Sequence, residues 1–401
     1  MDALGWLIFL VALLLSVMLH ETGHFVAAKR FGMKCTRYFV GFGPTLWSFT
    51  RGETEYGIKA FPIGGFVKIV GMTSIDEVDE EDEPRSFRQA PGWQRLIVLA
   101  AGSFMHFLLA AVLIFGVALA IGVGDVTSSN TTQLGTVSPY VPANEQAILS
   151  GASCTAGEAE SPAARAGLKV GDQVTSFDGV AVSNWTQLDH EILKVKPGMP
   201  VTLTVLRDGH SLTLHTALAE VTGHGSFFGI GPMAITVFQR QNPIDAIKYI
   251  GTGFSEVVTG SAQAIGHLPA AVPSLFTADR SCSAAGNVGS VVGAAQATGA
   301  TVAANEGWEQ KVSFVLLLIA SLNIFWGVLN LLPLLPLDGG HIAIVIWERI
   351  RAWFARRRHR PDPGLVDYSK AAPAMLSVFA VIAVFSLLLV FADIFNPVNY
   401  G

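Results

Sequence analysis

His20-Glu21-Thr22-Gly23-His24 is the stretch in this chain best suited to chemistry. On a helix, the HExxH spacing sets two imidazoles on one face, four residues apart, where both can reach one metal ion. The glutamate between them projects to the side, free to act as a base toward water polarised by that metal. The setting strengthens the reading. These ionisable groups sit at the end of an apolar run from Ala3 to Ala28, where charge is costly and marks a functional site.

A second polar cluster closes another apolar stretch, Asn330-Leu-Leu-Pro-Leu-Leu-Pro-Leu-Asp338-Gly-Gly-His341. Two prolines three apart should break the helix there. Two imidazoles and one carboxylate, with a fourth position open, is a catalytic zinc arrangement, and Asp338 is the best third ligand. Two other roles compete: Asp338 as the N-cap of a helix starting near Gly340, and His341 as the alternative ligand. His106, alone in its apolar run, reads as a packed, hydrogen-bonded residue.

The elements carrying these groups are membrane-length. The chain has 401 residues, 51% hydrophobic and 14% charged, a membrane-protein balance with polar sequence left for a soluble domain. Apolar runs at Ala3–Ala28, Leu96–Val123, Val312–Leu335 and Ala374–Phe391 predict four spans. The first, roughly 39 Å long as a helix, can cross a bilayer, and Met1-Asp2 is no basic leader region of a signal peptide. Ten Lys and Arg lie in 29–95 and seven in 349–370, with none before the first span or after the fourth. The positive-inside rule then puts both basic loops in the cytoplasm, and the termini and 125–310 outside. Spans one and three run the same way and deliver His20, His24 and Asp338 to a similar depth. The arginines from Arg356 to Arg360 read as a topology signal, and nothing points to nucleic acid.

Between the spans the chain divides as 1–124, 125–222, 223–310 and 311–401. Glu53–Lys59 and Phe66–Val70 read as short strands around Pro62-Ile-Gly-Gly65, either a surface hairpin or one dipping into the membrane. Ile75–Glu83 is an acidic linker. In 125–222, alternating strands such as Pro200–Leu206 and Ser211–Thr216 flank the turn Arg207-Asp208-Gly209. Tyr140–Glu160 reads as an insert in this β-rich module. From Asn242-Pro243 an amphipathic helix follows. The three cysteines, Cys35, Cys154 and Cys282, form no CxxC site, and a Cys154–Cys282 disulfide and two free thiols are equal expectations.

On HExxH and Asn330-x-x-Pro-x-x-Pro-x-Asp338-Gly339, the chain resembles the site-2 proteases, bacterial intramembrane zinc metalloproteases with a PDZ insert, over nearly its whole length. The resemblance implies a four-helix membrane fold with one zinc ion held by His20, His24 and Asp338. Glu21 would be the base, and Asn330 would hold the unwound substrate or its oxyanion. It makes Phe61–Gly71 a membrane-reentrant hairpin, with Gly64, Gly65, Phe66 and Val67 contacting substrate. Residues 130–220 resemble a circularly permuted PDZ domain, with Leu134, Gly135, Thr136 and Val137 along its peptide groove. Gly102-Ser-Phe-Met-His106 departs from the family's frequent Gly-Pro-x-x-Asn. The implied function is cleavage, in a bacterial plasma membrane, of single-span proteins such as anti-sigma factors already cut outside by another protease. Two rivals make different predictions: a PDZ scaffold with a dead site tolerates loss of Glu21, and a metal or proton transporter moves ions without cutting peptides.

Overall fold

The computed structural model describes residues 3–73, 76–128, 130–142, 159–221, 225–276, 289–304 and 306–396. The expected Tyr140–Glu160 insert lies mostly outside the described residues, as do Cys154 and Cys282. Cys35 is a buried free cysteine, and burial pushes its thiol up to about 11.

Helix α1 (Ala3–Arg30) has no proline and no charge before Glu21, and it ends on Lys29 and Arg30. Strands β1 (Cys35–Arg51) and β2 (Thr54–Ile69) follow. Each bends at glycines, so the two strands make four strand segments. Residues 54–58 and 65–69 do not pair with each other. They flank 35–40 from opposite sides, Tyr38 facing both Tyr56 and Val67, while 45–51 pairs with 54–59. The two-strand hairpin expected around 62–65 is therefore corrected to a wider curled sheet. Its missing half, 35–51, carries glycines and a proline that mask the alternation expected of a strand.

Helix α2 (Gly92–Ala120) leads into the β-rich module. Strands β3 (Val123–Ser128) and β4 (Leu134–Val137) enter it, and a helical turn at Pro162–Arg165 precedes β5 (Gln173–Phe177) and β6 (Val180–Ala181). After helix α3 (Trp185–Lys194) come β7 (Pro200–Arg207) and β8 (His210–Ala217). Their turn holds Asp208 and Gly209 at φ 49° and 80°, the paired positive values a two-residue hairpin loop demands. The main sheet runs β6-β5-β7-β8. It buries Leu134, Phe177, Leu188, Leu203 and Phe228 in one core. Asp172 clamps the preceding glycine turn to Arg207 with bonds of 2.7 and 2.6 Å; burial opposes its charge, but the guanidinium outweighs it and holds the carboxyl below its usual range.

Four more strands, β9 (Ala219–Val221), β10 (Gly225–Phe227), β11 (Ile230–Pro232) and β12 (Ala234–Gln239), close the module. β11 pairs with β4, and β12 with β3. The module thus reaches Gln239, past the expected edge at 222, because its last strand returns to pair beside its first.

Helix α4 (Pro243–Ala271) sets Tyr249, Ile250, Phe254 and Val257 against the spans, around Ala110, Ile114, Ala320 and Ile324. Helix α5 (Val291–Ala303) and α6 (Trp308–Asn330) follow. Helix α6 stops five residues short of the expected Leu335, before the two prolines. Helix α7 (Asp338–Arg357) and α8 (Tyr368–Phe395) complete the chain. Four of these helices, α1, α2, α6 and α8, are long and apolar enough to cross a membrane. Helices approach closely at glycines: a Cβ on Gly23 of α1 would lie 2.4 Å from Ala101 O of α2, on Gly5 of α1 2.6 Å from Gly299 Cα of α5, and on Gly327 of α6 2.5 Å from the Phe107 ring of α2.

Candidate active site

The α1 spacing sets His20 and His24 side by side, and the break after α6 brings Asp338 to them. His20 Nε2 and His24 Nε2 lie 3.1 Å apart, and Asp338 Oδ2 lies 3.4 Å from the first and 3.3 Å from the second. Tetrahedral ligands at about 2.0–2.2 Å from a zinc ion are separated by about 3.3–3.6 Å. The two edges to Asp338 match this and the edge between the imidazoles is slightly shorter, so the three atoms lie close to one face of such a tetrahedron. Asp338 Oδ2 is buried and has no hydrogen-bond partner among the described residues. A buried oxygen facing only two imidazole nitrogens is costly unless a cation sits among them. The donor set and the orphaned oxygen fit zinc.

The supports are local. His24 Nδ1 lies 2.8 Å from the Val98 carbonyl oxygen; donating to it fixes the tautomer that leaves Nε2 open to metal. Gly102 of α2 makes room for both rings, since a Cβ there would lie 2.3 Å from His24 Nε2 and 2.5 Å from His20 Cε1. Gly339 and Gly340 let the start of α7 fold against the 331–337 loop, where added Cβ atoms would lie 2.2 Å from Leu332 O and 2.6 Å from Leu335 N. Asp338 opens α7 as its first helical residue, with Leu337 at the N-cap, so the cap alternative does not describe it. His341 instead meets Tyr368, Nδ1 to hydroxyl at 3.1 Å with the rings stacked, and stands outside the three-ligand group.

Glu21 is half-buried beside the ligands, and its Oε2 accepts the Val67 N–H at 2.9 Å. Val67 therefore points its N–H away from Tyr38, its ladder partner. Gly65, on the same β2 segment, packs on α1, where a Cβ would lie 2.5 Å from Met18 Sδ. Phe66 stacks on Phe39, and Gly64 borders the Phe42 ring. Asn330 ends α6 just before the broken loop. Leu134, Gly135, Thr136 and Val137 form β4 of the β-rich module, a different region of the chain.

One group escaped the reading of the sequence. Asn323 of α6 takes Ser16 Oγ at 2.5 Å and lies 2.8 Å from His106 Nδ1, joining three spans. The His106 ring stands 4.8 Å from that of His20. His106 is thus a packed, hydrogen-bonded residue, as expected, and it also buttresses a member of the metal cluster. A polar side chain deep in each of three apolar runs was the available signal.

Four membrane-length helices and a His, His, carboxylate cluster with an adjacent glutamate define a membrane-embedded metallopeptidase. The family model for peptidase family M50 matches residues 8–360. The chain is 35% identical to the zinc metalloprotease Rip1 of Mycolicibacterium smegmatis over 100% of its own length and 99% of that protein. It is also 35% identical to the zinc metalloprotease Rip1 of Mycobacterium tuberculosis, over 98% of each chain. The chain belongs to peptidase family M50, the site-2 proteases, and is a zinc metalloendopeptidase of the membrane.

Proposed function

We propose that His20, His24 and Asp338 hold one zinc ion and that Glu21 is the general base of an endopeptidase cutting single-span proteins within the bilayer. The convergence of three ligand atoms within 3.4 Å, from segments 300 residues apart, carries this reading. Bound zinc supplies Lewis acidity toward water and toward the scissile carbonyl. Glu21 takes the proton from the attacking water as its oxygen bonds to the carbonyl carbon, and returns it to the leaving amine nitrogen. Asn330, the last residue of α6, is placed in this reading to hold the unwound substrate or its oxyanion.

A helical substrate hides its peptide bonds, so it must be drawn out as a strand. The 65–69 edge of β2 can receive it by β-augmentation, and the Val67 N–H turned toward Glu21 supports this. Gly64, Gly65, Phe66 and Val67 then line the substrate. The exposed Phe42, Leu46, Trp47, Phe49 and Phe61 favour a sheet immersed in lipid, the reentrant reading. The β-rich module, with its glycine turn 167–172 and the short strand β4, is read as a PDZ domain that screens substrates, Leu134–Val137 lining its groove.

The basic loops 29–95 and 349–370 favour a cytoplasmic position for both, with termini and module outside the cell membrane. Substrates of the anti-sigma type, trimmed outside beforehand, fit an enzyme with a screening module on that side. The test is Glu21→Gln in purified protein with a pre-trimmed single-span substrate and bound zinc quantified. Retained zinc with cleavage slowed at least about 10²–10⁴-fold is expected. Wild-type cleavage by the variant refutes the role of Glu21.

A further inference from the structure

Helix α7 has two faces. One is closed against α2: Arg95 and Glu348 pair at 2.8 Å, each side chain 8% exposed, and Glu348 Oε1 accepts the Val366 N–H at 2.8 Å. The other is open. Ile346, Trp347, Ile350, Trp353 and Phe354 form one helical stripe, each 41–55% exposed. An open groove of about 340 Å³ runs beside it, lined by Trp347, Ile350 and Phe354 together with Arg351, Arg358 and Arg360.

The groove is charged toward an anion. Arg351 donates to Gly364 O at 2.7 Å, but its Nε is buried with no hydrogen-bond partner among the described residues. Arg358 and Arg360 are exposed. Asp362, the nearest acid in sequence, accepts the Gly364 N–H at 3.0 Å. Over 349–370 the sequence has seven Lys and Arg against two Asp. A topology signal needs this charge but not an aromatic stripe beside it, nor a shaped groove.

We infer that this groove binds an anionic phospholipid, the phosphate among Arg351, Arg358 and Arg360 and an acyl chain along Trp347, Ile350 and Phe354. Charge complementarity selects the headgroup, because guanidinium forks match phosphate oxygens. Position selects a lipid over a soluble anion. Helix α7 is bracketed by membrane-length helices on connections of 331–337 and 358–367, so its face is held near the bilayer surface. A basic helix with an aromatic apolar face is the form that lies in such an interface. Arg357, stacked 4.1 Å over Trp353, covers the far end of the stripe.

The test uses the full chain in mild detergent with mixed phosphatidylglycerol and phosphatidylcholine, retained lipid being counted by native mass spectrometry. Wild type should keep phosphatidylglycerol selectively. R358Q/R360Q should weaken that retention roughly 30-fold, about fivefold for each basic residue at an anionic surface. R358K/R360K should recover much of it, and W347A/F354A should lose it although all charge remains. R356Q/R357Q removes the same charge outside the groove and should change retention far less. Equal loss in the two glutamine pairs means diffuse attraction, and equal retention of both lipids means no headgroup site; either overturns the inference. So does inorganic phosphate binding in lipid-free protein that R358Q/R360Q abolishes while phosphatidylglycerol retention is unchanged.

Discussion

Gly102→Ala tests the metal centre without touching a ligand. The new Cβ would stand 2.3 Å from His24 Nε2, 2.5 Å from His20 Cε1 and 2.7 Å from His24 Cε1. Unbonded heavy atoms settle at about 3.5–4.0 Å, so the rings must yield by about 1 Å. His24 cannot swing away freely, because Nδ1 is tied to Val98 O at 2.8 Å. Metal–ligand distances tolerate only about 0.2 Å of error. Zinc affinity should therefore fall at least about 10–100-fold, the scale seen when groups that orient ligands are altered, and cleavage should fall with it. Overpacking costs about 1–3 kcal/mol, offset in part by the roughly 1 kcal/mol that alanine gains over glycine in a helix. The fold should survive. Gly116→Ala is the control in the same helix, since its Cβ would meet no heavy atom of another element within 4 Å among the described residues. Chelator competition with zinc quantification, beside thermal unfolding, separates the effects. If Gly102→Ala binds zinc and cleaves as wild type does, the imidazoles are not held as described.

Three further outcomes follow from other contacts. Gly65→Ala puts a Cβ 2.9 Å from Phe39 O as well as against Met18, so the β2 edge must shift from Glu21; kcat/KM should drop about tenfold, the value of one or two main-chain hydrogen bonds, with zinc retained. Asp393→Ala removes the acceptor for Ser290 N and Oγ at 2.6 Å and Gly293 N at 3.0 Å; the N-terminus of α5 should become protease-sensitive and stability fall by about 1–3 kcal/mol. Hydrogen bonds from Arg85 and Lys29 hold Glu53 at about 2, below its ordinary 4.5. A depressed carboxylate stabilises fully above 4.5 and loses that contribution as pH falls toward 2. The Tm difference between wild type and Glu53→Gln should shrink across that window, and a constant difference counts against the ion pair.

Local pattern carried the reading wherever the chain solves a problem within a few residues. The turn Arg207-Asp208-Gly209 needs two positive φ values, and Asp-Gly supplies them, so β7 and β8 were legible. The spans were legible because apolar length is a one-dimensional property, and the α6 stop because Pro333 and Pro336 follow it. The β1 and β2 sheet was legible only in part: 35–40 takes partners on both sides, and Gly41, Gly43 and Pro44 interrupt its alternation. The edge of the β-rich module was missed at 222 for a related reason. Pairing between 123–128 and 234–239 spans over a hundred residues, and nothing in six residues of alternation names a partner.

The candidate site divides along the same line. HExxH is self-contained: one helical turn fixes both nitrogens and leaves Glu21 beside them. Asp338 was reachable because the charge asymmetry of the loops predicts that spans one and three run the same way, and parallel spans bring equal depths together. No such rule reaches Asn323, whose partners Ser16 and His106 lie 307 and 217 residues away on other helices. A polar residue in an apolar run is ambiguous by itself, because it can bond its own helix, as Asn323 Nδ2 does to Ile319 O, or reach a polar group on another span. Gly102 carries the same lesson in negative form. Its role is the space it leaves for His20 and His24, and emptiness becomes a feature only when the two rings that occupy it are in place.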